Sequence, residues 1–255
     1  MRAIWSGSIN FGLVNIPVRL YPATEDKNLD FDYLHKKDLS PVRYAKICKK
    51  EEREIDYKEL VRGFEISEGD YIVVTDEDLK RAAPEKNESI QILSFAKEDE
   101  IDSKYFENPY YIEPSKGASK AYYLLHEALE KSGTVGIASF ILRTRETLGV
   151  LKTEGGLIVL NRIRYAEEIR DSKELEIPAR EQVSKTEIEM ATSLIKRLTK
   201  KFDPNDYQDT YREKLEKLIK AKSKGKKFPE IKVKKTSEKT QDLMELLKSS
   251  LNESA

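Results

Sequence analysis

GIASFILRTRETLGVLKTEGGLIVLNRIRY, residues 136–165, decides the fold class of this chain. Three runs within it, GIASFILRTR (136–145), TLGVLK (147–152) and GLIVLNRIRY (156–165), are rich in β-branched and aliphatic residues. They are separated by a short bend at Glu146 and by TEGG (153–156), whose last three residues suit a tight turn. The pattern predicts an antiparallel β-meander. Within it Arg143 and Arg145 are spaced i, i+2, and so are Arg162 and Arg164. On a strand, that spacing puts each pair on one face.

Upstream, IWSGSINFGLVNIPVRLY (4–21) is strand-like: Ile9, Phe11 and Leu13 alternate with small or polar residues, and Ile16, Val18 and Leu20 do so after a shift at Asn15. Pro17 has no N–H, which predicts an edge strand or a bend. DYIVVT (70–75) reads as a buried strand, and TDEDLKRAAP (75–84) as a short helix capped by Thr75 and stopped by Pro84. SIQILSFA (89–96) and NPYYIEP (108–114) are further strands. SKAYYLLHEALEKSG (119–133) is an amphipathic helix, capped by Ser119 and closed by Gly133, with Ala121, Leu125 and Leu129 on one face.

Downstream the chain turns helical. SKTE (184–187) is a capping box ahead of a stripe made by Ile188, Ala191, Leu194, Ile195, Leu198 and Phe202. Asp203-Pro204 ends that helix and starts another, in which Tyr207, Tyr211, Leu215 and Leu218 recur up to Gly225. Residues 220–239 carry nine lysines against Glu230 and Glu238 and cannot pack a core. QDLMELLKSSL (241–251) then forms a short helix with apolar Leu243, Met244, Leu246, Leu247 and Leu251. Such a helix either folds back on the body or docks in a partner's groove. No internal repeat is found.

A length of 255 residues allows one substantial core with appendages. Hydrophobic residues make up 38% and charged residues 36%, so the core is modest relative to the surface. No apolar run is long enough to span a bilayer, and MRAIWSGSINFG lacks the apolar stretch of a signal peptide, so a cytoplasmic location is expected. The single Cys48 excludes an internal disulfide and a thiolate cluster for zinc. The 46 basic and 46 acidic residues cancel, but not evenly along the chain. Residues 1–50 carry 9 basic and 5 acidic groups, residues 51–113 carry 8 and 19, and residues 183–255 carry 18 and 12. Sorting of this kind suits a protein that holds a polyanion on one surface and repels it from the rest.

Enzymatic motifs are missing. There is no Walker loop, no GxGxxG after a strand, no HExxH and no GxSxG. His35 and His126 have no serine or cysteine arranged with them and read as ordinary surface or half-buried imidazoles. CKKE (48–51) offers one thiol and one carboxylate, which do not make a zinc site. No catalytic residue, metal or cofactor is expected. The positive features are basic: the 35–50 loop, the meander arginines and the C-terminal lysines. In HKKDLSPVRYAKICKK (35–50) six lysines and arginines face only Asp38. The candidate nucleic-acid contacts are therefore Lys36, Lys37, Arg43 and Lys46 in the loop, with Arg143, Arg145, Arg162 and Arg164 on the sheet. With no helix-turn-helix, Cys/His finger or aromatic RNP-like strand, the contacts should fall on the phosphate backbone without base readout.

The run Trp5, Gly7, Ile9, Phe11-Gly12-Leu13-Val14, Ile16-Pro17-Val18 and Leu20-Tyr21 resembles the opening of prokaryotic Ku, the DNA-end-binding family of non-homologous end-joining. YFENPYYIEP (105–114), SGTVGIASFILRTRE (132–146), FDPNDYQDTY (202–211) and DLMELLKSSL (242–251) resemble that family's later blocks in order. The resemblance implies a mixed α+β fold: a Ku β-barrel core over 1–182 with a basic bridge loop at about 30–62, a helical arm over 183–225, and a flexible tail over 226–255. The tail would be a basic linker followed by a ligase-docking helix. It implies a homodimer that encircles double-stranded DNA ends without sequence preference and recruits a multidomain ATP-dependent DNA ligase, in a cytoplasmic, nucleoid-associated setting. The 35–50 loop would lie in the bridge over the DNA, Arg143 and Arg145 would face the channel, and the helices at 184–221 would contribute to dimerisation. Many bacterial members carry a CxxC pair in the bridge; here the second position is Glu51. The alternative class is a structural RNA-binding or chaperone-like basic β-barrel protein using the same faces.

Overall fold

A computed structural model describes residues 1–82, 88–143, 145–179, 183–225 and Leu246. Nine strands and four helices follow in chain order among these residues: β1 (Trp5–Phe11), β2 (Val14–Pro22), β3 (Arg62–Ser67), β4 (Asp70–Val74), α1 (Asp76–Ala82), β5 (Ser89–Ala96), β6 (Phe106–Pro114), α2 (Ser119–Ser132), β7 (Val135–Leu142), β8 (Arg145–Glu154), β9 (Leu157–Ile163), α3 (Lys185–Leu198) and α4 (Thr210–Ser223). They divide into two compact units, residues 1–172 and 173–255.

In the first unit seven strands close into a barrel in the order β1-β2-β6-β9-β8-β7-β5. Every pairing is antiparallel except the seam, where β5 runs parallel to β1 with Ile9 opposite Ile90. The meander forms as its periodicity predicts, and Gly155 and Gly156, with φ of 56° and 83°, make the two-residue turn that joins Glu154 to Leu157. Both turn positions need the left-handed region that glycine enters without penalty. Alternation along β2 sends Ile16, Val18 and Leu20 inward, where they are completely buried with Ile9, Ile90, Leu151, Ile158 and Leu160.

Two readings of this segment change. Leu13 does not continue the inward alternation: it lies with Gly12 in the turn between Phe11 and Val14 and is fully exposed. Pro17 does not mark an edge strand, because β2 is flanked by β1 and β6 in the closed barrel. The β2–β6 ladder starts only at the Val18–Pro114 pair, and Ser115 N donates to Pro17 O at 2.8 Å, so the missing N–H falls beyond the ladder's end.

Helix α2 closes one side of this core with Tyr122, Leu125 and Leu129. Its N-cap is Ala118, without a side-chain bond, and Ser119 is already helical, so the expected serine cap is absent. The helix ends on a left-handed Gly133 as expected. Tyr122 ties helix to sheet: its hydroxyl donates to Ile112 O (3.0 Å) and accepts from Ile158 N (2.7 Å), bridging β6 and β9 at the end of their ladder. Burial raises the pKa of this phenol, which keeps it protonated as a donor. Removing the hydroxyl strands two buried backbone groups, at a cost of about 1–3 kcal/mol each.

DYIVV is a strand but not a buried one. β4 pairs with β3 alone, in a two-stranded sheet outside the barrel, and Phe64, Tyr71, Ile72 and Val73 are exposed. A continuous apolar run looks the same in sequence whether its face is covered by its own chain or not. Two strands alone are marginally stable. Thr75 caps α1 as expected, its Oγ1 accepting from Asp78 N at 3.2 Å, whereas the Pro84 stop lies outside the described residues.

In the second unit Ser184 and Glu187 form the anticipated capping box: Glu187 N donates to Ser184 Oγ (3.2 Å), and Ser184 N to Glu187 Oε2 (2.7 Å). Helix α3 ends at Leu198, short of Phe202. Asp203-Pro204 opens only a single 3-10 turn (Pro204–Asp206), and the next helix starts at Thr210, capped by Asp209. Tyr207 therefore stacks on Phe202 in the connection (5.6 Å between ring centres) and is not part of a helical stripe. Ile188, Ile195 and Leu198 on α3 are exposed within this unit.

Candidate nucleic-acid interface

The meander arginines do not sit as two equivalent pairs. β7 ends at Leu142, which pairs with Arg145, the first residue of β8. Arg143 lies in the connection between them with φ of 63°, a conformation that costs a non-glycine residue about 1–2 kcal/mol. Arg143 and Arg145 thus flank the tip of a hairpin and do not share a strand face; the expected bend at Glu146 falls two to three residues earlier. Both side chains are exposed and neither makes an ion pair among the described residues.

Arg162 on β9 and Arg164 just beyond it do reach the same side. Both converge on Glu107 of β6, whose side chain is only 14% exposed: Arg162 Nε lies 2.7 Å from Oε2 and Arg164 Nη2 2.7 Å from Oε1. The Arg162 contact is a close ion pair without an aligned hydrogen bond. No acid of the meander or of the turn after it pairs with either arginine among the described residues; Glu168 accepts from Tyr165 N (2.7 Å). Glu107 cancels one of the two arginine charges.

The basic loop contains a repeat that the sequence reading missed. His35-Lys36-Lys37-Asp38-Leu39-Ser40 and Cys48-Lys49-Lys50-Glu51-Glu52-Arg53 adopt the same turn. In each, the fifth residue is left-handed (Leu39 φ 58°, Glu52 φ 54°) and donates to the first carbonyl at 2.8 Å; the first N–H returns to the sixth carbonyl (2.8 and 3.0 Å). Isolated antiparallel bridges, Leu34–Pro41 and Ile47–Glu54, flank the two turns. Each turn presents two adjacent lysines, so Lys49 and Lys50 are equivalents of Lys36 and Lys37. The recurrence of HKKD as CKKE was the available signal, too short and too altered to register as a repeat. Hydrogen bonds from the Ser40 hydroxyl and N–H and from His35 hold the Asp38 carboxyl below its usual pKa.

The remaining loop charges are partnered. Arg43 meets Glu54 at 3.1 Å, and Lys46 lies over the Tyr57 ring at 5.0 Å. Arg53 contacts Glu51 (2.5 Å) and Glu59 (3.1 Å), which raises its pKa. Acids of 51–59 thus fold back on the basic stretch. The four turn lysines make no ion pair among the described residues. No three His, Cys, Asp or Glu side chains come together as a metal site among them. His126 is buried, against the surface or half-buried expectation, with Nε2 unpartnered and Nδ1 3.9 Å from Glu130. Leu246 is helical and 43% exposed, while Leu243, Met244, Leu247 and Leu251 lie outside the described residues. No described helix is long and apolar enough to cross a membrane.

A family model described as the Ku70/Ku80 beta-barrel domain matches residues 10–190. The chain is 38% identical over 256 residues to the non-homologous end joining protein Ku of Opitutus terrae, covering 99% of this chain and 92% of that one. It is 40% identical to the Ku protein of Archaeoglobus fulgidus, with 98% of each chain covered. Against that of Bacillus subtilis the identity is 40%, over 89% of this chain and 73% of the other.

Proposed function

This chain belongs to the Ku family, and from that premise we propose that it binds double-strand DNA ends without sequence preference in non-homologous end-joining. It acts as a ring-shaped homodimer and recruits an ATP-dependent DNA ligase, catalysing no step itself. The carrying observation is the end-to-end match with relatives named non-homologous end joining protein Ku. Residues 1–182 form the DNA-binding core with the bridge at about 30–62, residues 183–225 the dimerisation arm, and 226–255 the linker and ligase-docking helix. Such a protein works on chromosomal DNA in the cytoplasm. The apolar faces of β3–β4 and of α3 that stay exposed among the described residues support a second copy as their cover.

The exposed arginines at the β7–β8 tip and the turn lysines support backbone contact. Binding of linear duplex should weaken with salt, with a log K against log salt slope of about −0.9 per phosphate neutralised. Replacing Arg143 and Arg145 by Gln in both copies of the dimer is expected to flatten that slope by about 3.6, or about 0.9 for each of four arginines, with base preference unchanged. An unaltered slope would place both arginines away from the DNA. Deleting 241–255 is expected to leave duplex binding intact and abolish stimulation of the cognate ligase in nick- or end-joining assays. Full stimulation by the shortened chain would remove the docking role of Leu243, Met244, Leu246, Leu247 and Leu251.

A further inference from the structure

The segment that carries the first lysine turn also carries two tyrosines that stay exposed among the described residues. Tyr33 is 72% and Tyr44 88% exposed, and neither ring packs on another aromatic among the described residues. Val42 N donates to Tyr33 O at 3.1 Å, next to the Leu34–Pro41 bridge. Tyr33 therefore lies across from Val42, and Tyr44, beyond the bridge and outside any strand, comes to the same side and lines one cleft with both. The face is a shallow, open cleft of about 560 Å³ whose lining includes Tyr33, Val42 and Tyr44, with His35 and Lys36 where the turn begins. Tyrosine is common at protein–protein interfaces as well, but lysine is depleted from their cores, and here a lysine with no ion pair lines the cleft. Exposed rings beside lysines are the combination that holds a single strand: bases stack on the rings while ammonium groups meet the phosphates, whatever the base.

We propose that this cleft binds the unpaired nucleotides of a single-stranded overhang at a DNA end. The inference rests on the reading of the chain as a duplex-end binder, and it adds the form of end preferred. The test uses the full chain with three duplexes of equal paired length: one blunt, one with a short 3′ oligothymidine overhang and one with a 5′ overhang. At least one overhang should bind about 5-fold or more tighter than the blunt duplex, the lower end of what one stacked base contributes. The Tyr33→Ala/Tyr44→Ala variant should lose that preference and keep the blunt affinity, whereas Tyr44→Phe should retain it. Because both rings are exposed, the double variant should melt with the parent. Equal binding of all three duplexes by the parent, or a preference untouched by the double variant, overturns the inference and leaves end binding standing. Failure of the parent to bind any duplex removes the end-binding reading and the inference with it. Dissociation of a dimer by the double variant, measured by sedimentation, would make the cleft a contact between copies and overturn it too.

Discussion

A covalently closed duplex circle is expected to bind this chain at least about 100-fold more weakly than the same duplex cut once, at a salt concentration where ordinary non-specific binding is weak. The two substrates present the same phosphates at the same spacing, so counterion release contributes equally to both and cannot separate them. What differs is topology: a closed protein ring loads only over a free end. The two sets of exposed apolar residues, on the β3–β4 ribbon and on α3, are left uncovered by the described residues, which is why a second copy enters the proposal. Adding a bulky block to both termini before the protein should abolish binding, and adding it afterwards should trap protein through a high-salt wash. Equal affinity for circle and linear duplex would end the ring proposal while leaving a basic duplex-binding surface.

The second large effect concerns the barrel seam. Gly7→Ala is expected to lower stability by about 1–3 kcal/mol or more, a sizeable part of the about 5–15 kcal/mol that a domain has. A Cβ at Gly7 would lie 2.1 Å from the backbone oxygen of Glu88 and 2.4 Å from the Trp5 ring. That oxygen accepts from Ser8 N at 2.9 Å and continues into the three-residue parallel pairing that closes the barrel, so it cannot retreat without opening the seam. Gly149→Ala is expected to cost less, since the 2.6 Å contact there is with the end of the Leu160 side chain, which can rotate. Gly136→Ala is expected to be near neutral, its closest neighbour lying at 3.6 Å. Urea midpoints with unchanged m-values provide the ranking. A Gly7 variant as stable as the Gly136 variant would show that the seam is not a fixed closure.

Much of this was legible because it is local. Ile16, Val18 and Leu20 alternate in the sequence and point inward in the barrel; Ser184 and Glu187 are three apart and cap each other; TEGG turns where its glycines stand. Errors arose where a local pattern needed a distant partner. The i, i+2 spacing of Arg143 and Arg145 holds a face only while the strand continues, and β7 stops at Leu142 because it pairs back on itself at Arg145. Glu107 lies 55 and 57 positions before the arginines it neutralises, and only the β6–β9 register brings them together.

Residue pattern alone was sufficient for most of the elements, though not for β3, and for the modest core, the uneven distribution of charge and the family blocks, because each depends on side-chain period or on residue identity. Three-dimensional pairing settled which basic groups remain available. Arg43 is matched by Glu54, and Arg162 and Arg164 share Glu107. The hairpin-tip arginines and the two lysine turns have no such partner among the described residues. Charge is additive along a chain, but an electrostatic surface is made in space, where Coulomb energy falls with distance and not with sequence separation.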